Sequence, residues 1–268
     1  MQNNTQENNG IHQPIIRTSY FRFYEELNDF LPEQFYKKVY PFSFGGTPSV
    51  KNLIETIGVP HTEVDLILVD GISVGFGHIL IGGEHVSVYP VFESIDISPI
   101  IRLRAKTLRK IRFVVDVNLG KLAKKLRLLG FDTFYKNDLQ DDEVIKISLS
   151  EKRIILTRDI GILKNGNVTH GFWIRSDDPK IQLNEVIERL QLKNLFNPFT
   201  RCSQCNGQLK RVKKELLKDR IPEDTLRYYK IFWECRGCRQ IYWEGSHFDK
   251  IIDWIDTMND GNREHSIN

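Results

Sequence analysis

Two short apolar runs, Phe113-Val114-Val115 and Ile154-Ile155-Leu156, are each followed by an acid: Asp116 directly, and Asp159 beyond Thr157-Arg158. Runs of β-branched and aromatic residues without polar alternation fit strands buried on both faces, the habit of a parallel sheet under helices. Acids at the carboxyl ends of such strands stand where open α/β folds bind ligands. The residues between supply the covering helices. Leu119, Leu122, Ala123, Leu126 and Leu129 share one helical face, ended by Gly130, while Asn118, Lys121 and Lys125 line another. Phe131 to Tyr135 reads as a second strand, and Asp141 and Asp142 open a helix running to about Ser150. Arg153 to Thr157 reads as a third strand, Gly171 to Ile174 as a fourth, and Ile181 to Leu192 as a closing helix. The β-α-β-α-β order predicts a parallel sheet covered on both faces.

Asp116, Asp141, Asp142 and Asp159 form the candidate catalytic constellation. Carboxylates gathered at strand ends can hold one or two hard divalent cations, which lower the pKa of bound water and stabilise in-line displacement at phosphorus. Mg²⁺ or Mn²⁺ on Asp116 and Asp159 suits this donor set; zinc does not, because no Cys or His accompanies these acids. Each acid also has a structural reading. Asp141 and Asp142 stand where carboxylates cap helices, and Asp159 can pair with a neighbouring arginine. Asp116 has no evident structural duty, and Asp138, Asp177 and Asp178 are reserve loop acids. Lys121, Lys124, Lys125 and Arg127 can neutralise nucleic-acid phosphates, and Arg158 can contact the scissile one.

All four cysteines fall in two knuckles, Cys202-x2-Cys205 and Cys235-x2-Cys238, separated by 29 residues. Paired knuckles of this spacing read as tetrahedral zinc ligands rather than disulfides or a redox pair, with an excursion such as Lys210 to Tyr229 filling the gap. Lys210, Arg211, Lys213 and Lys214 add positive charge. Tyr228, Tyr229, Phe232, Trp233, Tyr242 and Trp243 can stack exposed bases, although so small a module needs most of its aromatics for a core. His247 is a candidate ligand or RNA contact, or a structural histidine.

Ahead of these regions charge changes sign. Residues 15 to 98 carry five Lys/Arg against eleven Asp/Glu, whereas residues 101 to 130 carry ten Lys/Arg against Asp116 alone, so a domain boundary is expected near Pro99. A charge run can also be a solvated helix face. Strand-like stretches at Ile16 to Tyr24, Tyr40 to Phe44, Asp65 to Val69 and His85 to Phe92 surround a helix over 50 to 57, which Ser49 can cap and Gly58 can end. Two strands, a helix and two more strands describe a β-grasp domain. Its Gly82-Gly83 precedes the last strand and reads as a turn, not a carrier terminus. With 40% hydrophobic residues, no apolar window of membrane length and a polar first fourteen residues, the composition predicts a cytoplasmic globular protein with a frayed start and no membrane partner.

Taken in order, these stretches resemble the Mut-seven C-terminal RNase family, PIN-like nucleases with a zinc ribbon, in the architecture that carries an N-terminal ubiquitin-like domain. The resemblance rests on residues 19 to 27, Gly58 through Asp65, Asp116 through Gly130, Leu156-Thr157-Arg158-Asp159, the four cysteines and Tyr242 through His247. It implies a PIN-like parallel α/β core with its acidic centre at Asp116, Asp141 or Asp142, and Asp159, preceded by the α+β β-grasp domain and followed by the ribbon. The missing GxGxxG after the first strand agrees. Asn118 stands where His or another residue is expected, so no role is carried onto it.

The expected organisation is a tail over 1–14, a ubiquitin-like domain over 15–98, a nuclease domain over 110–195, a zinc ribbon over 198–248 and a C-terminal helix and tail over 249–268. The expected function is metal-dependent hydrolysis of RNA, with RNA as partner and a protein partner for the ubiquitin-like domain. The alternatives are a non-catalytic RNA- or ribosome-binding adaptor, and a toxin-like nuclease restrained by a partner.

Overall fold

Alternation along the first strand sets the N-terminal core. In β1 (Ile16–Phe23) Ser19, Phe21 and Phe23 are buried while Tyr20 faces out, as a half-buried strand requires. The computed structural model describes residues 15–90 and 111–245, and the chain divides into two units, residues 1–105 and 106–268. The expected tails, His247 and the end of the His85–Phe92 stretch fall outside the described residues. In the first unit β1 pairs antiparallel with β2 (Val39–Gly45). Helix α1 (Val50–Ile57) follows; the Ser49 hydroxyl accepts from the Asn52 N–H at 3.3 Å, and the chain leaves the helix at Gly58. Val50, Leu53, Ile54 and Ile57 pack on Phe21, Phe23 and Leu27.

Then come β3 (Leu66–Val69), β4 (Ile72–Val74) and β5 (His85–Tyr89), giving the sheet order β2-β1-β5-β3-β4 with β1 and β5 parallel. This is the expected β-grasp, with one added strand. Strand β4 closes a hairpin through Asp70-Gly71, both with positive φ. Gly82-Gly83 lies in the bend before β5.

The second unit opens with β6 (Arg112–Val115), α2 (Gly120–Leu128), β7 (Asp132–Phe134), α3 (Asp141–Glu151) and β8 (Ile154–Thr157). It continues through α4 (Ile160–Lys164), β9 (Gly171–Trp173) and α5 (Pro179–Arg189). The short α4 was not anticipated, and α5 begins two residues earlier than expected, at Pro179 behind its cap Asp178. All strand pairs are parallel, in the order β7-β6-β8-β9. Phe113 and Val115 meet α2 and α5 through Leu122, Leu126, Leu183 and Val186, whereas Val114 and Ile155 meet α3 and α4 through Val144, Ile145, Ile162 and Leu163. Successive residues of one strand thus serve two cores, which is why the runs lack polar alternation.

The remaining residues form the antiparallel sheet β10 (Leu209–Val212), β11 (Phe232–Cys235) and β12 (Ile241–Trp243), with α6 (Glu223–Tyr228) in the excursion between the first two strands. Leu217, Phe232 and Ile241 make a small core, with Val212, Ile221, Leu226, Tyr229 and Trp243 packed partly buried against it. Among the described residues, no helix is long and apolar enough to cross a membrane.

Candidate active site and zinc ribbon

The chain leaves β6 to reach β7 on one side, then crosses back to β8 on the other. The carboxyl ends of β6 and β8 therefore flank a topological switch point, where a crevice opens. Val115 pairs with Leu156, and the Asp116 N–H donates to the Leu156 carbonyl at 3.0 Å, which sets Asp116 beside Thr157. Asp116 is only 5% exposed. Its Oδ1 accepts from the Val117 N–H at 2.6 Å and its Oδ2 from the Thr157 hydroxyl at 2.8 Å. The Thr157 hydroxyl oxygen in turn accepts from the Asp159 N–H at 2.9 Å. Asp116 thus does have a structural duty, holding the start of the 3-10 turn Val117–Leu119.

Asp159 caps α4, accepting from the Gly161 N–H at 2.6 Å. Asp141 and Asp142 form the first turn of α3, but its cap is Gln140, whose N–H is held by Glu143. Burial, and then the charges of Asp159, Asp116 and Asp142, push the Asp141 carboxyl above its ordinary range. Beside them Val117 and residues 137–142 line a groove of about 500 Å³, which brings in the reserve acid Asp138. Asp177 pairs with Arg158 and Asp178 caps α5, so both are otherwise engaged. Thr157 is the residue that acid counting missed; a hydroxyl between two strand-end acids is a legible signal.

Of the expected RNA contacts, Lys121, Lys124 and Arg158 are exposed and Lys125 is half-buried. Arg127 is corrected: it is 3% exposed and cannot face a nucleic acid. Its Nε donates to the Thr133 carbonyl at 2.9 Å, and its Nη1 to the carbonyls of Ser203 at 3.2 Å and Gln204 at 2.9 Å. It binds the backbone inside the first cysteine knuckle to the edge of the α/β sheet. At this seam Asn206 accepts from the N–H of Thr133 and donates to Asp132, which also receives Arg153 and Arg201. The knuckle thereby covers the otherwise open edge of β7.

The sulfurs of Cys202, Cys205, Cys235 and Cys238 all lie within 4.8 Å of one another, with Cys202 to Cys238 at 3.5 Å and Cys205 to Cys235 at 3.4 Å. Zinc with bonds of about 2.3 Å spaces its sulfurs by about 3.8 Å, so the quartet fits the ion. At Gly207 a Cβ would come within 2.8 Å of the Cys235 sulfur, so only glycine lets the backbone close over the site. Burial drives Cys238 up to about 12; Cys205, though burial opposes it, is brought down to about 6 by the Gly207 backbone and neighbouring thiols. Four thiols so placed do not ionise together unless a cation lies among them. Of the aromatics, Phe232 is buried, Trp233 stacks on Phe199, Trp243 packs on Phe232, and the Tyr242 hydroxyl reaches Cys202 at 3.0 Å. Tyr228 is 83% exposed.

Fold and site together define a parallel α/β domain with acids at its switch point and a four-cysteine, zinc-type ribbon on its edge, preceded by a ubiquitin-like domain. The chain belongs to the Mut7-C RNAse domain family, which it matches over residues 111–255; residues 16–96 match the Mut7-C ubiquitin family. This supports a nuclease-like function in general terms. No curated protein and no solved structure matches the chain significantly.

Proposed function

We propose that the protein is a PIN-like, metal-dependent ribonuclease that hydrolyses RNA phosphodiester bonds in the cytoplasm. The observation that carries this reading is geometric: Asp116, at the carboxyl end of β6, is linked through the Thr157 hydroxyl to the Asp159 backbone behind β8, so two acids end neighbouring parallel strands at the switch point. Asp116, Asp159 and Asp141, each with an oxygen lone pair left after the hydrogen bonds above, would hold Mg²⁺ or Mn²⁺, which neutralises the cluster and supplies water of lowered pKa. Thr157 holds the Asp116 carboxylate in one orientation, so that little reorganisation is needed when substrate arrives. Lys121, Lys124 and Lys125 draw the RNA backbone toward the crevice. Arg158 already neutralises Asp177 and is free to exchange it for a phosphate.

One observation favours the alternative, a non-catalytic RNA- or ribosome-binding adaptor. Among the described residues only the cysteines converge within 4.8 Å as a set of three or more metal-binding side chains, whereas Asp116 and Asp159 each serve a local turn. Cleavage of end-labelled single-stranded RNA with Mn²⁺, with Mg²⁺ and with EDTA separates the two. The expected result is metal-dependent cutting that is lost in Asp116→Asn and Asp159→Asn. RNA binding without cutting, unchanged in both variants, would establish the adaptor.

A further inference from the structure

The ribbon distributes its charges unequally. Glu234, buried on β11, takes three cations: Arg220 at 2.6 Å, Arg239 at 3.0 Å and Lys210 at 3.4 Å. Arg211, Lys213, Lys214 and Lys230 are exposed, and none is paired with an acid among the described residues. These four, with Val212 and the single acid Glu215, line a groove of about 430 Å³. Four cations around one concave surface repel one another, a cost that a polyanion removes.

The register shows where this groove lies. Leu209 pairs with Cys235 at the zinc end of the hairpin, and Val212 with Phe232 three positions on, about 10 Å along the strands. The groove opens at that far end. The knuckle that docks on the α/β sheet is at the opposite end, so the groove is not part of the acidic centre. Tyr228, two residues before the groove residue Lys230 in the chain, has an exposed ring, and exposed aromatics near basic surfaces are what single-stranded nucleic acid uses.

We propose that this groove is a second RNA contact, an exosite that grips the phosphodiester backbone of a single strand away from the cleavage point, with Tyr228 stacking a base. It rests on the ribonuclease reading for its substrate, but not for its chemistry. An acidic protein could satisfy the same charges; the exposed Tyr228 ring two residues from Lys230 and the RNAse family of the domain favour RNA. The exosite makes affinity depend on RNA length, because only a strand long enough to reach both places gains from it.

The test uses the full-length, zinc-loaded chain and the triple variant Lys213→Gln/Lys214→Gln/Lys230→Gln, with Lys210→Gln as control, since Lys210 is already paired. Zinc content and the thermal transition confirm that each variant is folded. Binding of a long and a very short single-stranded RNA is measured across salt concentrations in an Asp116→Asn background, and cleavage in the wild-type background. The triple variant is expected to bind long RNA at least tenfold more weakly, with a salt slope shallower by about 2, near 0.7 per lost phosphate contact. Its binding of the short RNA and its kcat are expected to be unchanged. If the triple variant binds long RNA like the parent while the parent cuts RNA, the exosite is overturned and the ribonuclease stands. If neither metal nor parent produces cutting, yet binding falls as described, the exosite stands and the nuclease does not. If the parent ignores RNA but binds polyglutamate through these lysines, the exosite is overturned in favour of an acidic protein partner.

Discussion

Two hydrogen bonds meet at the Thr157 hydroxyl, one given to Asp116 and one taken from the Asp159 N–H. Thr157→Val removes both while keeping the shape, leaving buried polar groups unpaired. The expected cost is about 1–3 kcal/mol in urea denaturation, with at least a tenfold fall in RNA cleavage, and Thr157→Ser restores both. Asp141 is expected to respond the other way. Its folded pKa lies above the ordinary carboxylate value, so the folded state holds its proton longer, and stability falls as pH rises through that window. Asp141→Asn is then more stable than wild type at pH 7 but not at pH 3, by at most about 1 kcal/mol, because the carboxyl is only slightly desolvated and the residue is otherwise exposed to screening water. Melting curves at the two pH values check this, with cleavage lost in the same variant.

At the scale of elements, the ribbon and the edge strand β7 are joined by buried polar groups rather than by a large apolar face. Arg127→Ala deprives three carbonyls of their donor, and a loss of about 3 kcal/mol is expected from the second unit in urea denaturation. Arg127→Lys recovers little, since one ammonium cannot span the same carbonyls. For Asp132 burial pulls the carboxyl up, yet hydrogen bonds from Arg153 and Asn206 outweigh it and hold it below the ordinary range. Its contribution is present above the unfolded carboxylate pKa and is lost as pH falls through the lowered value. Asp132→Asn should therefore flatten the acid limb of the stability curve. Much of this level was legible: α1 with its Ser49 cap, the parallel strands, and the helices over 120–128 and 141–151. Arg127 was readable too, for it lies four residues beyond Ala123 on the apolar face of α2. The hairpin of β4 carried the Asp-Gly signal that marks such turns.

At the scale of the whole molecule, two units with separate cores imply two melting transitions. Stripping zinc with a thiol-compatible chelator is expected to lower the transition of the second unit and leave that of the ubiquitin-like domain in place, as calorimetry with and without added zinc would show. The effect should extend beyond the ribbon, because the first knuckle supplies the partners of Arg127 and Thr133. Loss of metal then exposes the β7 edge, and aggregation of the second unit is the expected sequel.

By itself the sequence determined the kinds of element, the four cysteines placed to bind a metal such as zinc, and the acids that end strands, because periodicity and spacing record which face of each segment is buried and which side chains can converge. Tertiary structure alone decided that β6 lies between β7 and β8, which makes a switch point of Asp116. It also decided what the inward-facing Arg127 binds, the backbone of the first cysteine knuckle. Strand order and docking depend on which distant surfaces cover one another, and no local pattern carries that information.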